Sequence, residues 1–390
     1  MEASEASPAR IWTRPFVGLM LVTTLAGTAI TTQMGTLALY VKSQGGSDAM
    51  SGLIVGVLGV AALALRLPVG MLLDRYGRKG ILMLGLAVLV VDFGLLSVWS
   101  TLVVLLALRV VQGVGNCCQS TADAAMAADL IPPGRLEQGL GYFGLAQALP
   151  QAIGPLIGLA LVAHCGYPAL FVAGFGLVAA ALVVSLWLPE GYRGRPRHRQ
   201  VDQKPARVRL ATATVVVPSL IVSAVGLANS GVISFVAVYA QERHVAGAGY
   251  YFLIVALSTI GVRLGFGRLL AVVPRRVVLL ASTLMVAGAY GLLTVVTATW
   301  QLWLAAGLYG IGFGCLLPMM NAVVLAHVPV NQRGQVTAIF SGALDASYGG
   351  GVMIFGLIAT LSNHMVMFGA ITACSLIATV LAIEFRTRLA

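Results

Sequence analysis

Apolar stretches of about 20 residues follow one another almost from end to end of this chain, each long enough to cross a hydrocarbon core about 30 Å thick as a helix. Twelve such spans can be laid out: 16–40, 49–73, 80–99, 102–128, 137–163, 168–188, 211–240, 248–270, 277–298, 301–327, 335–361 and 364–385. With 59% hydrophobic and only 9% charged residues, the chain could not cover a water-facing surface. An all-α, multi-pass membrane protein is expected. The apolar run from Phe16 is too long for the core of a cleavable signal peptide, so the first span is expected to stay in the protein.

The net charge of +11 finds its explanation in topology. Of the 24 Lys and Arg, nineteen fall at or beside the N-terminus, the even-to-odd loops and the C-terminus. Lys42 and Arg243 fall in the opposite loops, and Arg66, Arg109 and Arg263 lie within spans. This asymmetry puts both termini in the cytoplasm of a bacterial inner membrane and makes nucleic acid an unneeded partner. The five cysteines (Cys117, Cys118, Cys165, Cys315, Cys374) lie in or beside apolar segments without metal-ligand spacing and read as small apolar side chains. No metal or cofactor is expected.

Residues 189–209, PEGYRGRPRHRQVDQKPARVR, carry seven Arg or Lys and divide the spans six and six. They read as a cytoplasmic linker, either a simple tether or a segment lying on anionic headgroups. The expected organisation is an N-terminal six-helix bundle over 1–189, a basic linker over 190–210 and a C-terminal six-helix bundle over 211–390. The halves look duplicated. A shift of 197 places Arg66, Leu67, Gly70, Leu72, Leu73 and Arg78 on Arg263, Leu264, Gly267, Leu269, Leu270 and Arg275. A shift of 198 places Cys117, Arg135, Gly144 and Gly158 on Cys315, Arg333, Gly342 and Gly356. Repeated halves with a polar centre are a common architecture of transporters that rock between two states.

GMLLDRYGRK, Gly70 to Lys79, resembles the loop between helices 2 and 3 of the major facilitator superfamily, and the resemblance extends over essentially the whole chain. It implies that Gly70 lets helix 2 approach helix 11, that Asp74 meets the positive end of that helix, and that Asp74, Arg75, Gly77, Arg78 and Lys79 form a gate latch for the outward-facing state. A carboxylate at a helix start gains about 0.3–1 kcal/mol from the dipole, which supports the role physically. In the second copy Ala271 replaces Asp74 and Pro274 replaces Gly77, so that latch is degraded.

RVVQGVG, Arg109 to Gly115, is similar to a family stretch whose arginine is linked to proton coupling. Asp92 and Arg109 would sit at matching depth, roughly 13 Å from the turn joining their spans, as a structural ion pair or as a protonation switch. PQAIGPLIG, Pro150 to Gly158, resembles an exporter signature, with Gly154, Pro155 and Gly158 matching and Leu159 departing from it. Its prolines are expected to bend the fifth span and its glycines to admit a neighbouring helix.

Polar residues on the spans that line the family's cavity give the candidate substrate contacts: Gln33, Asn116, Gln119, Gln147, Asn229, Asn321 and Asp345. Asp345 is also the first choice for proton coupling, since no cation lies within a helical turn of it in sequence; Asp123 and then Asp92 follow. The alternative for Asp345 is a neutral, hydrogen-bonded helix contact. Arg66 and Arg263 lie about 12 Å deeper than their loop ends and need a partner or water, in a structural or a transport role. The six threonines between Thr23 and Thr36 either line the pore or bond back to their own helix.

Nothing in the motifs suggests an enzyme. The leading expectation is a monomeric secondary transporter exporting a small molecule, a drug or metabolite, in exchange for protons. Uptake of a nutrient or metabolite on the same fold is the alternative, and a transport-dead scaffold or sensor is a third.

Overall fold

The computed structural model describes residues 11–132, 135–189, 213–326 and 333–385. The 190–210 linker expected from sequence therefore lies outside the described residues. Among them the chain forms twelve helices: α1 (Arg14–Thr31), α2 (Thr36–Ser43), α3 (Asp48–Tyr76), α4 (Arg78–Val98), α5 (Leu102–Leu130), α6 (Leu136–Leu186), α7 (Ala213–Glu242), α8 (Ala248–Val272), α9 (Arg275–Thr294), α10 (Thr299–Ala326), α11 (Arg333–Leu361) and α12 (His364–Phe385).

The helices do not correspond one to one with the expected spans. The first span is broken into α1 and α2 by residues 32–35, where Gly35 takes φ of 75°. The fifth and sixth spans are joined in α6, whose one non-helical residue is Gly166, at φ 79° and ψ 176°. Eleven stretches are long and apolar enough to cross a membrane, and the one at Gly139–Leu186, 48 residues, is long enough to cross twice on either side of that glycine. Twelve crossings result.

Three apolar cores form the molecule. Two lie in the first half, one built around Phe16, Leu82, Phe93, Phe143 and Val178 and one nearer the α2–α3 turn around Tyr40, Ile54, Leu105 and Phe171; the third is built around Phe235, Tyr290, Leu316, Phe355 and Phe368. Within the first half α1 packs on α6, and α5 on α3 and α4; within the second, α10 packs on α8 and α9, and α7 on α11 and α12. The halves meet along α3 with α11, α6 with α8 and α2 with α7. We call the end carrying the basic α3–α4 turn the inner end, and the end carrying the α2–α3 turn the outer end.

Closure differs between those ends. On the outer half of the α3–α11 seam the backbones touch: a methyl group on Gly52 would lie 2.5 Å from the Val352 carbonyl oxygen, and one on Gly56 would lie 2.6 Å from that of Gly349. Small residues permit this approach inside a membrane, where close packing and Cα–H contacts replace the hydrophobic drive. Toward the inner end, a methyl group on Gly70 of α3, Gly342 of α11, Gly141 or Gly144 of α6, or Gly261 or Gly265 of α8 would meet no described atom within 4 Å. Among the described residues, the close backbone contacts of the α3–α11 seam lie on its outer half.

Candidate functional site

The polar centre starts from the break in the first span. Gln33, 1% exposed, sits in that break, and its side-chain oxygen accepts from Gln112 Nε2 at 3.2 Å. The Arg109 guanidinium donates to Gln112 Oε1, so a chain of amides ties α5 to the broken helix. Asp92 on α4 is fully buried, and no hydrogen bond reaches either of its oxygens. The contact ion pair between Asp92 and Arg109 that sequence depth allowed is not formed. Arg109 is near enough to interact electrostatically with Asp92, but its guanidinium is drawn to the Gln112 carbonyl on its own helix.

Asp123 is 1% exposed on α5 and accepts from Thr23 Oγ1 at 2.8 Å and from Gln119 Nε2, while its Oδ1 has no partner. Gln119 and Asp123 thus lie sealed between α1 and α5, apart from the cavity between the halves. The hydroxyls of Thr28, Thr32 and Thr36 donate to carbonyls of their own segment, for example Thr28 to Thr24 at 2.7 Å and Thr36 to Thr32 at 2.9 Å, whereas those of Thr23, Thr24 and Thr31 each lie between a carbonyl of their own segment and an acceptor on α5 or α6.

The cavity itself, about 160 Å³, lies between α3, α5 and α11 and is lined by Leu58, Gly59, Ala62, Leu63, Arg66, Asn116, Cys117, Ser120, Asp345 and Tyr348. Arg66 and Asp345 form an ion pair across it, joining the two halves. Asp345, expected from sequence to lack a cation, has one supplied by the other half of the chain, some 280 positions away. Around this pair Asn116, Ser120 and Tyr348 offer neutral polar groups. Behind it Asn229, 3% exposed, donates to the Tyr348 hydroxyl at 2.7 Å and accepts from the Tyr290 hydroxyl at 3.4 Å. A larger cleft of about 420 Å³ opens at the outer end beside Lys42, Tyr167 and Glu242, away from this ion pair.

Of the remaining candidates, Asn321 is half-buried with an unpartnered side-chain oxygen, and Gln147 is exposed on α6; neither lines the cavity. Arg263 is exposed on α8. Helical dihedrals run through Pro150 and Pro155, where a bend is expected from sequence, and the non-helical residue of α6 is Gly166. Pro150 lacks the N–H that would bond to Ala146, and the Thr24 hydroxyl from α1 takes that carbonyl at 3.3 Å instead. Gly154 and Gly158 do admit a neighbour, since a side chain at either would overlap Thr31 or Thr32 of the broken helix.

In the basic turn, Gly77 joins α3 to α4 at φ 83° and ψ 161°, a conformation open essentially to glycine alone. Arg78 pairs with Asp129 and donates to the Ala125 carbonyl at 2.6 Å, while Lys79 Nζ donates to the Leu186 carbonyl at 2.9 Å. Arg75 lies over the Tyr76 ring at 5.4 Å. Arg78 and Lys79 tie the inner ends of α4, α5 and α6 together. The Asp74 side chain lies outside the described residues, and a methyl group on Gly70 would meet no described atom within 4 Å.

Sequence reasoning missed Tyr348 and the seam glycines. Each had a signal: Tyr348 stands three positions after Asp345, hence on the same helix face, and Gly52 and Gly56 form a small-xxx-small pair.

A family profile described as Major Facilitator Superfamily matches residues 19–274 and again 262–388. An uncharacterized MFS-type transporter of Methanocaldococcus jannaschii is 24% identical over 364 residues, 88% of this chain and 93% of that protein. The Tetracenomycin C resistance and export protein of Streptomyces glaucescens is 28% identical over 117 residues, 30% of this chain and 22% of its own length. Among solved structures, a POT family transporter in complex with 5-aminolevulinic acid superposes with a TM-score of 0.82 at 15% identity, covering 96% of both chains. That last likeness is one of fold.

Proposed function

The chain belongs to the Major Facilitator Superfamily, whose members are membrane transporters and not enzymes, and we propose that it exports a small organic molecule, a drug or metabolite, in exchange for protons across a bacterial inner membrane. The observation that carries this reading is the Arg66–Asp345 pair bridging the halves inside a cavity, at the inner limit of the close-packed outer half of the α3–α11 seam. In an alternating-access cycle the halves rock about this polar centre, so that it faces first one side and then the other. A proton arriving on Asp345 removes its charge and releases Arg66, whose guanidinium then turns to a solute acceptor or to water. Solute and proton compete for one place.

Export is supported by the match to the Tetracenomycin C resistance and export protein and by the partial exporter signature at Gly154, Pro155 and Gly158. The excess of Lys and Arg on the inner end favours a cytoplasmic inner end with both termini there, which makes this the inward-facing state of a monomer. Asp123, buried with two neutral donors and no cation, is the second group proposed to carry a proton, with Asp92 and Arg109 behind it. Asn116 is the proposed solute contact, and Asn229 acts through Tyr348. Each proton entering down a one-unit pH gradient supplies about 1.4 kcal/mol to the cycle.

The test is transport in inverted vesicles. An imposed inside-acidic gradient drives solute accumulation by a proton-exchanging exporter. Accumulation that instead needs protons and solute to move in the same direction assigns the chain to uptake.

A further inference from the structure

At the outer end the halves are joined by four ionisable side chains from stretches that lie far apart along the chain. His364 opens α12 and is 5% exposed; Asp48 opens α3, in the other half, and is 6% exposed. His364 Nδ1 lies 2.7 Å from Glu242 Oε2 at the end of α7. Its Nε2 lies 3.4 Å from Asp48 Oδ1, and Lys42 Nζ lies 2.8 Å from Asp48 Oδ2. Neutral imidazole has one donor and one acceptor nitrogen, whereas a carboxylate oxygen only accepts. With Nδ1 donating to Glu242, a neutral His364 turns a lone pair toward Asp48 Oδ1. Both atoms, Nε2 and Oδ1, are buried without a hydrogen-bond partner.

One proton resolves both deficits. Added to Nε2 from the outer medium, it turns imidazole into imidazolium, and the new N–H donates to Asp48 Oδ1 across the seam. The cluster then holds two cations and two carboxylates; without that proton the buried Nε2 and Oδ1 turn lone pairs on each other. We propose that His364 is a proton-binding site of the outer gate: closing the seam takes up one proton on Nε2, and acid on the outer side holds the two halves shut there.

The surroundings agree with this assignment. From α7, His364 is also faced by the Tyr239 ring at 6.1 Å and the Phe235 ring at 6.0 Å, and Arg243 lies over Tyr239 at 5.2 Å. The outer ends of α9 and α11 bring no charged side chain. The start of α12 is a mildly unfavourable place for a cation, by about 0.3–1 kcal/mol, and two carboxylates within reach outweigh it. The seam is otherwise set for closure at this level: the Ala49 amide at the start of α3 donates to Thr360 Oγ1 of α11 at 2.6 Å. Once the seam opens, Asp48 moves off with its half and Nε2 faces water, where the extra proton has no special partner. Because the cluster is at the outer end, its proton is a condition for closure and is not carried through, so the inference holds for either direction of transport.

The experiment uses the full chain in lipid nanodiscs, with spin labels on Gln44→Cys and Ala246→Cys, in the exposed outer turns of opposite halves, and with Cys165→Ser removing the exposed native thiol. As pH falls from about 8 to 5.5, across the range where imidazole titrates, the ratio of short to long distances rises, by at most about tenfold per pH unit for one linked proton. His364→Gln makes that ratio flat, and Asp48→Asn does the same by removing the acceptor. His164 and His244, exposed in nearby turns, are kept throughout. A wild-type ratio that ignores pH, or a wild-type response retained in either variant, overturns the proposal. If His364→Gln does not fold, the Asp48→Asn response decides.

Discussion

Arg66 on α3 and Asp345 on α11 pair across the two halves although their side chains remain 44% and 41% exposed. The pair lines the cavity and is reached by whatever enters it, which suits a contact that parts in the proposed cycle. The backbone contact at Gly52 and Gly56 holds the seam beyond it, so the ion pair is free to respond to what enters the cavity.

If Asp345 carries the coupling proton, Asp345→Asn uncouples the chain: solute still equilibrates across vesicle membranes, but a pH gradient no longer concentrates it. Arg66→Ala, leaving the acid without its cation, weakens solute retention while Arg66→Lys preserves part of it. Solute-driven proton flux, followed with a pH-sensitive dye in proteoliposomes, is the measurement. Unchanged coupling in Asp345→Asn removes this residue from the mechanism.

The outer seam predicts a shift in state. Gly56→Leu pushes a side chain against the Gly349 carbonyl and the Met353 and Val352 side chains, and overpacking of this kind costs about 1–3 kcal/mol. Since that cost falls on the outside-shut state alone, the balance moves about 5- to 150-fold toward an open outer end. The distance between spin labels on Gln44→Cys and Ala246→Cys, in a Cys165→Ser background, shifts toward long values accordingly. A distance distribution equal to that of the Gly56 parent contradicts the seam as drawn.

Much of this was legible in the sequence. Periodic apolar length fixed the crossings, and Arg66 and Asp345 stood out as charges inside spans. What could not be read was their meeting: nothing local connects positions 66 and 345, and only the packing of two halves brings them together. Asp92 and Arg109 are matched in depth but not in contact, because a side-chain amide three residues along α5 is the nearer acceptor. The breaks were hidden for a related reason. Gly35 and Gly166 interrupt helices by their positive φ, whereas Pro150, the louder signal, is accommodated by a threonine on a different helix.

Glycines at different sites should answer oppositely to the same substitution. Gly158→Ala places a methyl on the Thr32 carbonyl, and neither backbone can yield cheaply, so a loss of about 1–3 kcal/mol and a lower Tm are expected. Gly288→Ala on α9 meets open space and gains helix propensity, about 0.5–1 kcal/mol. Thermal unfolding in detergent, read by a thiol-reactive dye or by intrinsic fluorescence, separates the two. Equal shifts would mean that α1 and α6 do not touch at this point.

The last expectation concerns the layer behind the cavity. Tyr348 lines the cavity, and its hydroxyl accepts from the buried Asn229 amide. Tyr348→Phe leaves that amide unpartnered at a cost of about 1–3 kcal/mol, and Asn229→Leu removes the donor and its need together. The double variant should therefore be more stable than the sum of the single effects allows, by a coupling of about 0.5–3 kcal/mol. Thermal melts of all four forms give that coupling, and solute Kd values from the same set report whether it reaches the cavity. A vanishing coupling in the melts would show that Asn229 and Tyr348 act independently, and Asn229 would then have no route to the bound solute.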